Sequence, residues 1–187
     1  RSPSRGLGDV YKRQTLITAA LVDRVNGLTM LLTIAILLLS RRMDLVQAYV
    51  PATVGWLILL LALGWITYFI LHHKLFPVFD PVLPTITGLS LVIQLLQLVS
   101  FFCILYGFSI APSQWLLYGI LFYCGSILSA LPLSINGLGI REWVLVSGSS
   151  MMALDSGKAF SASLVFTLIS GVCALIGGMI KIKERTV

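Results

Sequence analysis

The chain has 187 residues, of which 58% are hydrophobic and 11% charged, and its mean hydropathy is +0.98. Soluble globular domains carry about 25% charged residues, so this composition excludes a soluble enzyme or binding domain and indicates a polytopic membrane protein. The formal net charge is +6, but part of it lies in an N-terminal stretch that differs from the rest of the chain.

Residues 1–14 are polar and do not match the apolar sequence that follows. Within them, Asp9 to Gln14 reads as the translation of a transposon end that is used to prepare sequencing libraries. We therefore predict that residues 1–14 are not native and set them aside. Four basic residues and one acidic residue are lost in this way, which leaves a net charge of +3 and no basic tail for nucleic acid. Residues 15–187 are then expected to be the C-terminal part of a longer protein.

Apolar runs of about 20 residues recur along the chain, and each is long enough to cross about 30 Å of hydrocarbon as a helix. A shorter segment, Glu142 to Leu154, is rich in Ser and Gly and is too short for a confident crossing. We predict an all-α fold, a polytopic transmembrane helical bundle of about five or six membrane segments. The predicted spans are Thr15 to Ser40, Ala52 to Leu71, Thr85 to Ile110, Gln114 to Leu131 and Lys158 to Ile180.

Some polar and sulfur-containing residues within these spans have ordinary structural roles in our interpretation. Gln94, Gln97 and Ser100 are spaced by three residues, so they are predicted to face the bundle, with the two glutamines serving as interhelical hydrogen-bonding groups. The adjacent His72 and His73 indicate a pair at the membrane interface rather than a metal site, because neighbouring helical residues point in different directions. Cys103, Cys124 and Cys173 lack zinc or redox spacing and are interpreted as packing residues. No metal and no cofactor is predicted.

A helix-breaking and charged stretch, Leu131 to Glu142, interrupts the apolar sequence. Pro132 removes a helical hydrogen bond, and the glycines after it permit backbone angles that other residues resist. We predict a broken or re-entrant helix here, with the restarting helix directing free N–H groups and Arg141 at an anion such as a lipid phosphate. The alternative is an extramembrane loop in which Arg141 and Glu142 form a solvated pair.

A second polar cluster, Asp23 and Arg24 followed by Gly27, lies after an apolar run. One interpretation is a salt bridge or an anchor at the cytoplasmic end of a span, and another is a second contact to a lipid phosphate. Arg24 could also pair with Glu142. Gly27 is predicted to be a structural helix break, like Pro132. The headgroup candidates are Ser134, Asn136, Gly137, Gly139, Arg141, Glu142, Asp23 and Arg24.

The two motifs resemble those of one protein family. Leu131-Pro132-Leu133-Ser134-Ile135-Asn136-Gly137-Leu138-Gly139-Ile140-Arg141-Glu142 is similar to the "lP-s-GGlGvRE" signature of the flippase-like family, the lysylphosphatidylglycerol synthase transmembrane region. Leu21 to Leu28 is similar to its "(D/E)R--GL" segment, and the resemblance extends over Thr15 to Ile180. Asn136 replaces the first glycine of the usual pair, and the upstream "GG--GD--R" segment of the family is missing. The positions matching the pattern are Asp23, Arg24, Gly27, Pro132, Gly137, Gly139, Arg141 and Glu142.

The resemblance implies a protein of a bacterial or archaeal cell membrane that translocates or handles anionic phospholipids or lipid-linked glycans, with a lipid synthase or glycosyltransferase as a possible partner. No synthase domain is present, so lysyl transfer is not assigned to this chain. The sequence carries no hydrolase, metalloprotease, phosphate-loop or dinucleotide motif, so no catalytic residue is predicted. Excess Lys and Arg on one side predicts a cytoplasmic C-terminus.

Two alternatives stay open. The first is a membrane-embedded enzyme or an accessory to lipid-linked glycan or aminoacyl-lipid synthesis, in which Glu142 is an acid or base and Asp23, His72 or His73 is its partner. The second is a non-transporting assembly subunit, in which the interruption is only a loop.

Overall fold

The structure, a computed structural model, describes residues 3–42, 63–70, 72–74, 76–130 and 139–179. All regular secondary structure in these residues is helical, which confirms the predicted all-α fold. The chain divides into two compact units, Arg1–Leu96 and Gln97–Val187, and each is described by itself.

The first unit begins with helix α1, Pro3–Leu39, which is 37 residues long. Residues 63–70 and 72–74 are also helical, and a 3₁₀ turn at Pro77–Val82 leads into α2, Leu83–Gly107, which continues into the second unit. The helix break predicted at Gly27 is wrong, because α1 passes through this residue without interruption. A glycine costs a helix about 1 kcal/mol relative to alanine but keeps its backbone N–H, so burial of neighbouring side chains can outweigh it.

A buried polar network holds the first unit together. Asn26 is fully buried, and its amide nitrogen donates a hydrogen bond of 2.8 Å to Ser90 Oγ. Its Oδ1 accepts hydrogen bonds from the Tyr68 hydroxyl at 2.8 Å and from Thr87 Oγ1 at 3.1 Å. One side chain therefore links α1 to the helical residues 63–70 and to the first half of α2.

Replacing Asn26 with Ala is expected to lower the free energy of unfolding by about 1–4 kcal/mol, because three hydroxyl groups lose their buried partner. Thermal unfolding of the detergent-solubilised protein measures the effect. Asp23→Ala, at an exposed position on the same helix, is the control and is expected to change stability by less than about 0.5 kcal/mol. Equal losses for the two variants would argue against a stabilising network.

In the second unit, α2 is followed by a 3₁₀ turn at Pro112–Gln114 and, among the described residues, by three further helices. Helix α3 is Trp115–Ala130, α4 is Ile140–Met151 and α5 is Ser156–Met179. Gly125 of α3 lies against Arg141, whereas Leu121 lies against Gly148. Positions earlier in α3 therefore meet positions later in α4, so the two helices are antiparallel.

The turn between α4 and α5 is closed by backbone hydrogen bonds and a helix cap. Ala153 adopts a left-handed φ of 54°, and the Leu154 N–H donates to Ser149 O at 2.8 Å, which is the pattern of a Schellman motif. Asp155 then caps α5, because its Oδ1 accepts a hydrogen bond of 3.0 Å from the Lys158 N–H. This turn fixes α4 and α5 as an antiparallel hairpin.

Three described helical segments are long and apolar enough to cross a membrane: Leu16–Leu39, Phe79–Gly107 and Ser156–Met179. Large apolar side chains are exposed along α2 and α5, including Val92, Leu96, Val172 and Ile176. Exposed apolar surface of this extent is typical of contact with lipid. The chain therefore has the features of a multi-pass membrane protein.

Other predicted features have mixed outcomes. The predicted second span, Ala52 to Leu71, lies mostly outside the described residues, and the predicted fourth span corresponds to α3, whose 16 residues extend about 24 Å. The number of membrane segments therefore stays a prediction.

The predicted inward polar face of α2 is confirmed for Gln94, which is buried, but is wrong for Ser100, which is exposed. The three cysteines are free.

Candidate functional site

The structure describes part of the predicted headgroup site. Gly139, Arg141 and Glu142 lie together at the start of α4. Asp23 and Arg24 belong to the first unit, where both are exposed on α1. The remaining predicted positions, Pro132, Ser134, Asn136 and Gly137, lie outside the described residues.

Gly139 and Glu142 begin α4. Gly139 is the N-cap residue with a left-handed φ of 89°, a conformation that glycine adopts without the steric cost of a Cβ atom. Its N–H donates a hydrogen bond of 2.9 Å to Glu142 Oε2, so the third residue of the helix satisfies the backbone of the cap. Glu142 therefore stabilises the start of the helix on which Arg141 lies.

The other carboxylate oxygen of Glu142 joins α4 to α5. Glu142 is 9% exposed, and its Oε1 accepts hydrogen bonds from Ser163 Oγ at 3.2 Å and from Thr167 Oγ1 at 2.9 Å. With the Gly139 bond, three donors from the chain meet this carboxylate, an arrangement suited to its ionised form. The geometry gives Glu142 a structural role between the two helices and does not favour its use as a ligand for an anionic headgroup.

Arg141 packs against two aromatic rings that also contact each other. Its guanidinium carbon lies 5.4 Å from the ring centroid of Phe122 on α3 and 5.1 Å from that of Phe166 on α5. The two rings also contact each other edge to face, with centroids 4.8 Å apart. Cation–π attraction fixes the guanidinium but uses none of its five N–H donors.

One of those donors is buried without a partner. Arg141 Nε is inaccessible and makes no hydrogen bond to any residue that the structure describes. An unsatisfied buried donor costs about 1–3 kcal/mol, and more when the group is charged. A ligand oxygen with negative charge would remove this cost, so the site is chemically suited to binding an anion.

Gly125 lets α3 approach Arg141 closely. A Cβ atom at Gly125 would lie 3.1 Å from Arg141 Cγ and 3.2 Å from Arg141 Cα. These separations are tighter than ordinary van der Waals contact, and the second involves backbone that cannot rotate away. A small residue at position 125 is therefore needed for the observed placement of Arg141.

Replacing Gly125 with Val is expected to displace the start of α4 and to destabilise the second unit by about 1–3 kcal/mol through overpacking. Thermal unfolding in detergent measures this loss. Gly171→Val is the matched control, because position 171 is exposed on α5 and a Cβ atom there meets nothing within 4 Å. If both variants unfolded at the same temperature, the close approach at Gly125 would be unimportant.

Several residues of the site were missed by the sequence interpretation. Ser163 and Thr167 are four residues apart in an apolar helix, a spacing that places both hydroxyls on one face. This spacing indicates a shared polar partner and is visible in the sequence. Phe122 and Phe166 resemble the other aromatic residues of their spans, and only the packing of α3 and α5 against α4 distinguishes them. In the first unit the residue of α1 that forms buried polar contacts is Asn26, not the charged Asp23 or Arg24.

The described residues include no group of three or more His, Cys, Asp or Glu side chains that could hold a metal ion. The chain matches no protein family model, and comparisons with curated proteins and with solved structures found no match. The resemblance of its two motifs to the flippase-like family therefore stays a prediction.

Proposed function

We propose that this chain is a multi-pass membrane protein that binds an anionic lipid headgroup at Arg141 and translocates or otherwise handles a phospholipid or lipid-linked substrate. The observation that carries the proposal is the partly buried guanidinium of Arg141, held by Phe122 and Phe166 with an unpaired Nε. The substrate class follows from the charge and from the apolar helices beside it.

A phosphate group fits this arginine better than a neutral ligand does. Phosphate oxygens accept charge-assisted hydrogen bonds from guanidinium N–H groups, often two in parallel. The N-terminus of α4 adds the positive end of a helix dipole next to Arg141, which further favours an anion. Glu142 carries the opposite charge, but its oxygens are directed to Gly139, Ser163 and Thr167.

The surroundings favour a lipid over a soluble anion. The helix α5 that supplies Phe166 is long and apolar enough to span a membrane, and its second half exposes Leu168, Val172 and Leu175. A phospholipid could place its phosphate at Arg141 and its acyl chains along such a surface. The sequence similarity of residues 131–142 to a flippase-like signature supports the same substrate class.

A lipid-translocation assay tests this function. The chain is reconstituted in liposomes that contain trace fluorescent phosphatidylglycerol or fluorescent phosphatidylcholine, and the fraction of each lipid that changes leaflet is followed by quenching. We expect faster translocation of phosphatidylglycerol than in protein-free liposomes, with a clear preference over phosphatidylcholine. Equal movement of the two lipids, or a rate equal to that of protein-free liposomes, would contradict the proposal.

A further inference from the structure

A cavity of about 240 Å³ lies within the first unit. Its wall includes the apolar side chains of Val22, Val25 and Phe76. The hydroxyls of two further lining residues are already used inside the chain, since Thr29 donates to a backbone carbonyl and Tyr68 donates to Asn26. The cavity is therefore mainly apolar, with few polar groups free for a ligand.

His72 provides a polar group on this wall. It is only 4% exposed, and its Nε2 is buried and has no hydrogen-bond partner among the described residues. Its other ring nitrogen, Nδ1, lies 3.1 Å from Asp80 Oδ1. His73, by contrast, has an exposed side chain and contacts the second oxygen of Asp80 at 2.6 Å. The histidine pair predicted to lie at an interface thus consists of one buried and one exposed ring joined by a shared carboxylate.

The contact with Asp80 determines which nitrogen carries the proton when the His72 ring is neutral. A carboxylate accepts hydrogen bonds, so Nδ1 must carry the hydrogen that lies between Nδ1 and Asp80. The lone pair is then on Nε2, which makes this atom a hydrogen-bond acceptor. A buried acceptor beside an apolar cavity is satisfied by a ligand that donates an O–H and fills the remaining volume with apolar atoms.

We propose that this cavity binds an apolar group that carries a hydroxyl, with the hydroxyl donating a hydrogen bond to His72 Nε2. The volume is below the roughly 300–1,000 Å³ typical of sites for drug-sized molecules, so the occupant is either a small alcohol or the hydroxyl-bearing end of a lipid. The inference rests on the first unit alone and does not depend on the function proposed for Arg141.

Nitrogen NMR of the intact chain tests this site, because the sequence contains only two histidines. The protein is labelled with ¹⁵N-histidine, reconstituted in nanodiscs and titrated with two matched pairs of probes, phenol with toluene and 1-decanol with decane. His73→Phe assigns the two ring systems. We expect a saturable shift of the His72 Nε2 resonance with phenol or decanol, and affinity for the hydroxylated member of the pair about tenfold higher. A response to phenol indicates a small occupant, and a response to 1-decanol indicates a long-chain occupant.

Two variants that fill the cavity provide the next comparison. Gly64 and Thr67 line the cavity, and a Cβ atom at Gly64 meets nothing within 4 Å. Gly64→Leu and Thr67→Leu are each expected to weaken the response at least about tenfold. Gly88→Leu, at an exposed position on α2 outside the cavity, is expected to retain it. The proposal is overturned if neither hydroxylated probe shifts His72 Nε2, if toluene or decane shifts it equally, or if both filling variants respond like the wild type.

Discussion

Replacing Arg141 with Ala is expected to reduce the rate of phosphatidylglycerol translocation by about tenfold or more, because the headgroup loses its charged hydrogen-bond donor. The substitution breaks no hydrogen bond of the buried Nε, which has no partner within the described part of the chain, but it also removes the contacts of the side chain with Phe122 and Phe166. The rate is measured in liposomes by the leaflet-quenching assay, with protein amounts matched after reconstitution.

Three further substitutions distinguish the effect of the Arg141 charge on the translocation rate from the effect of side-chain packing and from that of positive charge elsewhere in the chain. Arg141→Met keeps an unbranched stem that can pack against the rings of Phe122 and Phe166, and we expect it to lose translocation like Ala while remaining folded. Arg141→Lys keeps the charge but loses the planar guanidinium, so an intermediate rate is expected. Lys74→Ala removes an exposed positive charge from the first unit and is expected to leave the rate unchanged. Wild-type activity of the Met variant would refute a role for the guanidinium.

Replacing Glu142 with Ala is expected to lower the free energy of unfolding by about 2–4 kcal/mol. The change leaves the Gly139 N–H and the hydroxyls of Ser163 and Thr167 without their acceptor, and it removes the side chain that joins the start of α4 to α5. Equilibrium unfolding in mixed micelles measures the loss, and translocation activity is expected to fall with it because Arg141 is no longer held in place.

A double-mutant cycle isolates the contact between Glu142 and α5. The double substitution Ser163→Ala with Thr167→Val removes the two donors, so combining it with Glu142→Ala should cost less than the sum of the two separate losses. We expect a coupling energy of about 1–3 kcal/mol. The matched control is Ser161→Ala on the same helix, where the hydroxyl donates to the backbone carbonyl of Gly157 within α5; its effect is expected to be additive with that of Glu142→Ala. Strict additivity for the Ser163 and Thr167 pair would show that Glu142 acts without these hydroxyls.

The helical architecture follows from sequence patterns with a simple physical basis. The long apolar runs predict helices because backbone polar groups must be satisfied internally in hydrocarbon, and α2 and α5 confirm this expectation. The predicted helix break at Gly27 is wrong, because the packing of α1 outweighs the local preference of glycine against helix. Helix propensity is a weak guide when the neighbouring side chains, such as Asn26 and Met30, are buried.

The candidate site was predictable only in part. The charge of Arg141 and its position at the start of a helix could be anticipated, because the glycines before it mark a helix boundary. The role of Glu142 could not be anticipated, because its partners Ser163 and Thr167 lie on α5, more than twenty positions away in sequence. For the same reason, nothing local to Phe122 or Phe166 indicates that both rings contact one guanidinium.

The most direct test of the central claim is a distance measurement between Arg141 and lipid phosphorus. The protein is labelled with ¹³Cζ-arginine and reconstituted in bilayers that contain phosphatidylglycerol, and ¹³C–³¹P dipolar recoupling is compared between the wild type and Arg141→Lys. The other arginines of the chain give a background that the two proteins share. We expect the wild type to show, above this background, a contribution from a carbon–phosphorus separation of about 4 Å, as direct hydrogen bonding requires, and the variant to lack that contribution. Identical recoupling in the two proteins would contradict the binding of an anionic headgroup at Arg141.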